Sequence, residues 1–124
     1  MKFRFHSSDL PGRDIWCPGA DVAHAFVGTA EVFAGVFGVG SGTGLPADGV
    51  CVIDFRDFGG LSAAAVDRFS TSDQGILRSL SLGFIATSLV LIDRAGHPAP
   101  AMPGHAQELA WRTLRDQHAR AMPV

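Results

Sequence analysis

The longest apolar run in the chain, residues 82–93 (LGFIATSLVLID), restricts the fold more than any other feature. A run of this length is too short to cross a bilayer, which takes about 20 residues. Its β-branched and aromatic side chains, among them Phe84, Ile85 and Val90, favour a strand that is buried on both faces. The sequence therefore predicts a central strand that the rest of the chain must cover.

Alternation and composition predict further strands around this one. Charged and aromatic residues alternate from Lys2 to His6, which is typical of a half-buried edge strand. A turn signal with proline followed by glycine, Asp9-Leu10-Pro11-Gly12-Arg13, comes next. The predicted strands are 2–6, 23–32, 34–39, 50–56 and 82–93, with a hairpin turn near Gly96.

Helical signals are confined to the second half of the chain. Residues 61–69 are a weak, alanine-rich candidate, and Thr71-Ser72-Asp73-Gln74 resembles a capping box ahead of a helix at 72–81. The clearest helix is at 105–120. The sequence therefore predicts a single α+β domain over residues 1–124: a mainly antiparallel sheet of five or six strands, as a half-barrel or open sandwich, covered by two or three helices.

The amino-acid composition restricts the kinds of molecule that the protein is expected to bind. Hydrophobic residues make up 47% of 124 residues, which is more than a small monomer easily buries, so we expect a homodimer or larger homo-oligomer, or a lined cavity. A net charge of −2, with Lys2 the single lysine, predicts neither nucleic-acid nor membrane binding. The N-terminus lacks an apolar signal segment, so we expect a cytoplasmic protein.

The opening strand and the Asp9-Leu10-Pro11-Gly12-Arg13 turn resemble a family of small uncharacterised bacterial proteins. Members of that family end with a short helix, an apolar strand, a Gly/Pro hairpin and a C-terminal tryptophan. The corresponding parts here are residues 72–80, 82–92, 93–98 and Trp111. The family is a domain of unknown function, so the resemblance implies a β-rich fold and no catalytic residues.

The sequence does not match the familiar catalytic and cofactor-binding motifs. The glycine-rich segment 38–44 has Thr43 where a dinucleotide fingerprint needs glycine, and Leu45-Pro46 does not open a helix, so a mobile loop or lid is favoured over a phosphate cradle. The histidines have no metal-binding spacing, and no serine-nucleophile motif occurs. We expect no metal and no cofactor.

Two polar positions stand out as candidate catalytic residues. On strand alternation His24 shares an apolar face with Phe26, where desolvation would suit it to act as a general base, although a core histidine satisfied by a backbone carbonyl is the alternative. Asp54 shares a face with Arg56 and could orient a ligand there, with a solvated face or an ion pair as the alternative. The predicted catalytic residues are His24 and Asp54, and the predicted ligand-binding residues are Arg56, Phe26 and Trp16.

Two functions of different class follow. The first is a small-molecule protein with an apolar pocket, either a cofactor-independent cyclase or isomerase-type enzyme or a binder of an apolar ligand. The second is a protein-interaction accessory module that uses an exposed apolar surface and the C-terminal helix. A closed apolar cavity of ligand size would favour the first function, and a flat exposed apolar patch would favour the second.

Overall fold

Four helices and a two-stranded parallel sheet make up the part of the chain that the computed structural model describes, residues 2–44 and 48–124. The elements, in chain order, are β1 (Arg4–Ser7), α1 (Ala20–Phe37), β2 (Val50–Ile53), α2 (Phe55–Thr71), α3 (Gly75–Arg94) and α4 (His105–Ala119). The predicted β-rich α+β fold with an antiparallel sheet of five or six strands is therefore wrong.

The predicted central strand at 82–93 is the C-terminal part of helix α3. A continuous apolar run carries no periodicity, so it fits a buried strand and a buried helix equally well, and length has to decide between them. The helix extends over 20 residues, which is far beyond the usual length of a strand. The predicted hairpin at Gly96 is instead the end of α3, and Gly96 has the left-handed φ of 78°.

The strands predicted at 23–32 and 34–39 are a single helix, α1. Its buried side chains include Ala23, Phe26 and Ala30, whose spacing follows helical periodicity. Gly35, expected at a bend, lies inside the helix, and the helix ends where Gly38 adopts a φ of 70°.

Two of the predicted strands, 2–6 and 50–56, correspond to the strands of the sheet, and their side chains alternate most clearly between the two faces. β1 and β2 are parallel, with Arg4 opposite Val50 and Ser7 opposite Ile53, because α1 crosses over between them. The predicted turn after β1 is confirmed: the amide of Arg13 donates to the carbonyl of Leu10, and Gly12 has a φ of 85°. The strand predicted to continue to residue 56 ends at Ile53.

The helices extend further than their local signals indicated. The weak candidate at 61–69 lies within α2, and the proposed capping box falls on the α2–α3 connection, so the helix expected at 72–81 begins at Gly75 and continues as α3. α4 coincides to within one residue with the helix expected at 105–120.

Aromatic contacts fix the relative directions of α1, α2 and α3. Phe26 in the first half of α1 contacts Phe58 in the first turn of α2, and Phe37 at the end of α1 lies under Arg68 near the end of α2. The contacts follow the same chain order in both helices, so α1 and α2 run parallel. In α3 the order is reversed, since Phe84 contacts Phe58 while Arg78 lies 4.8 Å from the ring of Phe69. α3 therefore runs antiparallel to α2 and to α1.

Phe84 lies at the centre of the core. Its ring stacks on Phe26 at 5.6 Å between centroids and also contacts Phe33 at 5.3 Å and Phe58 at 6.4 Å. Phe26 in turn contacts Trp16 and Phe5, which continues the aromatic cluster to β1. One hydrophobic cluster thus includes side chains from the sheet and from all four helices.

Arg94 ties two remote segments to the end of α3. Its guanidinium donates hydrogen bonds to the carbonyl oxygens of Ile15 at 2.9 Å, Ala119 at 3.2 Å and Met122 at 2.9 Å. Burial lowers the pKa of Arg94 from its usual value. The loop after β1 and the end of the chain are therefore held against α3 by one side chain.

The glycine-rich segment packs on the first turn of α2. The amide of Asp54 donates to the carbonyl of Gly42, which has a φ of 70°. A Cβ atom at Gly42 would collide with the backbone of Asp54 and Phe58. The part of this segment that the structure describes is thus a packed loop, and Leu45 and Pro46 lie outside the described residues.

Phe84→Ala should lower the free energy of unfolding by about 3–5 kcal/mol, because it removes the ring shared by three helices. Leu82→Ala, on the same helix but 40% exposed, should cost about 1 kcal/mol or less. Denaturant unfolding of both variants measures the difference. Equal losses would contradict the central position of Phe84.

Gly42→Ala should destabilise by at least about 1–2 kcal/mol, since alanine disfavours a left-handed backbone and its methyl group has no space. Gly60→Ala, inside α2 with open space around the new methyl group, should stabilise by about 0.5–1 kcal/mol through helix propensity. Thermal and denaturant melts of the pair test whether the loop is packed as described.

Candidate functional site

The two predicted catalytic residues lie on different elements. His24 is exposed on α1, where its ring and that of Phe3 pack in a T-shaped arrangement, 5.4 Å between centroids. Asp54 is exposed at the N-cap of α2, and its Oδ1 accepts a hydrogen bond of 2.9 Å from the amide of Arg56. This capping contact accounts for the aspartate at that position.

Of the predicted ligand-binding residues, the structure brings two together. Trp16 and Phe26 are buried and pack edge to face at 5.4 Å between centroids. Arg56 is exposed in the first turn of α2. Phe26 and His24 were assigned to one strand face, but residues two apart on a helix point in roughly opposite directions.

A polar cluster lies beside β1. Asp14 Oδ1 lies 3.0 Å from Arg4 Nε and 2.6 Å from His6 Nε2. The hydrogen bond from Arg4, followed by the one from His6, lowers the pKa of Asp14 below its usual value. Burial, with the negative charge of Asp14, raises the pKa of the neighbouring Cys17 thiol, which disfavours its thiolate form.

Within residues 2–44 and 48–124, no group of three or more His, Cys, Asp or Glu side chains is placed to hold a metal ion. Cys17 and Cys51 are free thiols, and the Cys51 Sγ lies 3.2 Å from the carbonyl of Gly44.

The largest apolar exposure lies on α1 and α3. Five aliphatic side chains are at least half exposed there: Val22, Val32, Val36, Ile76 and Leu80. On α1 the positions 22, 25, 29, 32 and 36 follow alternating steps of three and four, and on α3 the positions 76, 80, 83 and 87 lie on one side of the helix. We call this surface the α1–α3 face; its members are Val22, Ala25, Thr29, Val32, Val36, Ile76, Leu80, Gly83 and Thr87.

The α1–α3 face has a hollow end and a bulky end. A groove of about 420 Å³ lies at the start of α1, lined by Val22, Ala25 and Thr29 and, across from them, by Leu80, Gly83 and Thr87. Since α1 and α3 are antiparallel, Val32, Val36 and Ile76 lie together beyond the other end of this groove. His118 and Met122 close the hollow end.

A second concave region lies between α3 and α4. This α3–α4 cleft has a volume of about 350 Å³ and is walled by the segment from His97 to Met102. Leu89, Ile92 and Trp111 supply apolar lining, and four charged side chains surround it: Asp93, Glu108, Arg112 and Arg115.

A family model described as a family of unknown function (DUF6086) matches residues 1–124. The chain belongs to DUF6086. No curated protein and no solved structure matched it. Membership agrees with the predicted resemblance to a domain of unknown function, while the Asp-Leu-Pro-Gly-Arg signature and a bacterial origin stay predictions.

Two of the predicted ligand-binding residues, Trp16 and Phe26, line the groove of the α1–α3 face in this DUF6086 chain, but the sequence predicted neither the exposed stripe beside that groove nor the α3–α4 cleft. The spacing of Val22, Ala25, Thr29, Val32 and Val36 was a visible signal for an exposed helical stripe, and reading the segment as strands hid it. The cleft had no such signal, because Leu89 and Arg115 come together only through the packing of α4 on α3.

Among the described residues of the DUF6086 chain, two helices, α1 and α3, are long and apolar enough to cross a membrane by length and composition. A core helix meets the same criterion, and 56% of the apolar window of α3 is buried in the fold against 33% for α1. The difference again identifies α1 as the helix with the uncovered apolar side.

Arg4→Gln should raise the pKa of Asp14 toward the ordinary aspartate value of about 3.9, because it removes the stronger of two donors. A carbon-13 NMR titration of the carboxyl group measures this, with Arg13→Gln as a control that leaves the pKa unchanged. Because the folded pKa is depressed, Asp14 stabilises the fold above about pH 4, and this contribution is lost as the pH falls through the folded pKa.

Proposed function

We propose that the protein is a protein-interaction module that acts through the α1–α3 face, and that its partner there is a second copy of the chain. The observation that carries the proposal is the set of five aliphatic side chains, 52–78% exposed, on two adjacent helices. Exposed apolar patches of this kind mark interaction surfaces. The other hypothesis is a pocket containing His24 and Asp54. It depended on two strand faces that do not exist, because His24 lies on helix α1 and Asp54 is the N-cap of α2.

The size of the face suits a dimer of ordinary dimensions. Helices of 18 and 20 residues extend about 27 and 30 Å, and packed helices lie about 8–10 Å apart. The face therefore covers on the order of 500 Å² in projection, and more in accessible surface. A standard interface buries roughly 600–1,000 Å² per partner.

The face is complementary to itself. A two-fold axis that lies in the interface and runs across the helices would bring each bulky end over the partner's hollow end. On α3 this pairs Leu80 with Gly83 of the partner subunit, and Ile76 with the partner's Thr87. On α1 it pairs Val32 with the partner's Ala25. In these three pairs a larger side chain meets a smaller one, while Val22 lies opposite the partner's Val36 as an apolar pair.

Polar groups on the face would lose little on burial. The hydroxyl of Thr29 donates to the carbonyl of Ala25 at 2.7 Å, and that of Thr87 donates to the carbonyl of Gly83 at 2.9 Å. Both threonines already have partners within their own helices, so no unpaired hydroxyl would be buried. Glu31 of α1, next to Val32 in the chain, accepts a hydrogen bond from Ser41 at 2.9 Å.

Sedimentation equilibrium at micromolar concentration should find a dimer, and Leu80→Glu should weaken it by at least about tenfold, since it buries a charge against the partner's helix. Leu109→Glu is the matched control, because Leu109 is 52% exposed on α4 and lies off the face. Equal weakening by both variants, or a wild-type monomer throughout that range, would contradict the proposal.

Gly83→Leu separates specific pairing from general apolar attraction. It adds apolar surface where a Cβ atom meets nothing within 4 Å, so general attraction would strengthen the dimer. If Leu80 of one copy occupies the space over Gly83 of the partner subunit, the variant weakens the dimer instead. Adding Leu80→Ala to Gly83→Leu should then restore association, because the large and small positions exchange places.

The other occupants of the face give different results. A monomer that sediments with lipid vesicles, and no longer does so as Leu80→Glu, would assign the face to a membrane surface. A monomer that does not bind vesicles would indicate that the face binds a different protein. Either result overturns pairing with a second copy.

A further inference from the structure

The α3–α4 cleft combines an apolar floor with a preformed wall. Trp111 is 5% exposed and packs against Phe69 at 5.0 Å, so its ring is held in place. The wall contains Pro98 and Pro100, whose fixed φ angles stiffen the segment. A volume of about 350 Å³ is near the lower end of the ~300–1,000 Å³ of ligand sites.

The charge held deepest at the cleft is positive. The side chain of Arg115 is 23% exposed, whereas Asp93, Glu108 and Arg112 are 51–61% exposed. Arg115 Nε and Nη2 bind Asp116 Oδ1 at 3.0 and 2.9 Å, which fixes the guanidinium plane. Its Nη1 lies 3.6 Å from Asp93 Oδ1, which is too long for a hydrogen bond.

Arg112 provides a second set of donors beside it. Its one described side-chain contact is the 3.1 Å hydrogen bond from Nη2 to Glu108 Oε1, and a guanidinium has five N–H donors. Two arginines three residues apart therefore present unused donors above an apolar floor. Guanidinium groups recognise carboxylates by pairs of parallel hydrogen bonds.

We propose that the α3–α4 cleft binds a small amphipathic carboxylate. Its aromatic or aliphatic body lies against Leu89, Ile92 and Trp111, and its carboxylate accepts hydrogen bonds from Arg115 Nη1 and Arg112. The site is separate from the α1–α3 face, so it does not depend on the proposed self-association.

The probe for this site is 4-phenylbutyrate, with 4-phenylbutyramide as the matched neutral compound. The chain has two tryptophans: Trp111 lines the cleft and Trp16 lines the groove of the α1–α3 face. Their indole N–H signals in a nitrogen-15 NMR spectrum therefore report the two regions separately, and Trp111→Phe assigns them. Phenylbutyrate should shift the Trp111 signal saturably, and the amide should bind at least about tenfold more weakly.

Arg115→Gln should weaken phenylbutyrate binding by about tenfold or more, and Arg112→Gln, at a well exposed position, should weaken it without affecting folding. Arg120→Gln is the matched control, since it removes the same charge from the end of α4 outside the cleft. Its affinity should stay within about twofold of that of the wild type. Signal dispersion in the same spectra reports whether each variant is folded.

Absence of a Trp111 shift, a shift of Trp16 alone, or equal affinity for the amide would overturn the proposal. So would equal weakening by Arg120→Gln, because the effect would then come from net charge. The Leu80→Glu variant should bind phenylbutyrate as the wild type does. Failure of self-association and failure of the carboxylate site are thereby observed independently.

Discussion

The packing of Phe84 between α1 and α2 is the contact on which the rest of the structure depends. A two-stranded sheet of four residues per strand has too little surface to organise a core by itself. Helix α3 supplies the surface instead, and Phe84 meets rings from α1 and α2. The directions of these helices then decide which of their sides remain uncovered.

One consequence is the contrast between the two most apolar helices. α3 is enclosed by α2 and α4 along much of its length, and its two most exposed apolar side chains, Ile76 and Leu80, lie on the side beside α1. α1 is covered on one side by α2, α3 and the sheet. Its other side, with Val32 and Val36, is left open. The apolar excess in the composition is thus concentrated on one face, and this concentration is why we assign association to it rather than to α4.

Local chemistry predicted the turn at Gly12, the N-terminal strand and helix α4, because each depends on residues near in sequence. The identity of α1 and α3 could not be settled in this way. Both are rich in β-branched and aromatic residues, and their helical state depends on packing around Phe84. The error carried over to the site: a strand places His24 beside Phe26, whereas a helix turns His24 outward and Phe26 into the core.

The α1 stripe could have been found from its spacing, but its pairing with Ile76, Leu80 and Gly83 required the antiparallel placement of α3. The cleft was beyond sequence reasoning for a similar reason. Arg115 and Leu89 belong to two helices joined by a proline-containing connection. The residue pattern of neither helix predicts the position of the other.

Arg4 and Val50 pair in the sheet although they lie 46 positions apart in the chain, and from this separation we expect an order of folding. Parallel strands separated by a whole crossover helix gain their hydrogen bonds only after a long loop has closed, which costs entropy and slows the step. α2 and α3, joined by a short connection, meet through local contacts such as that of Arg78 with Phe69. We therefore expect the helical hairpin to form early and β1, the first strand to leave the ribosome, to join the fold late. During synthesis Phe5 would be limited to nearby partners such as Trp16, whose ring centroid lies 4.9 Å from that of Phe5 in the fold, until β2 is made.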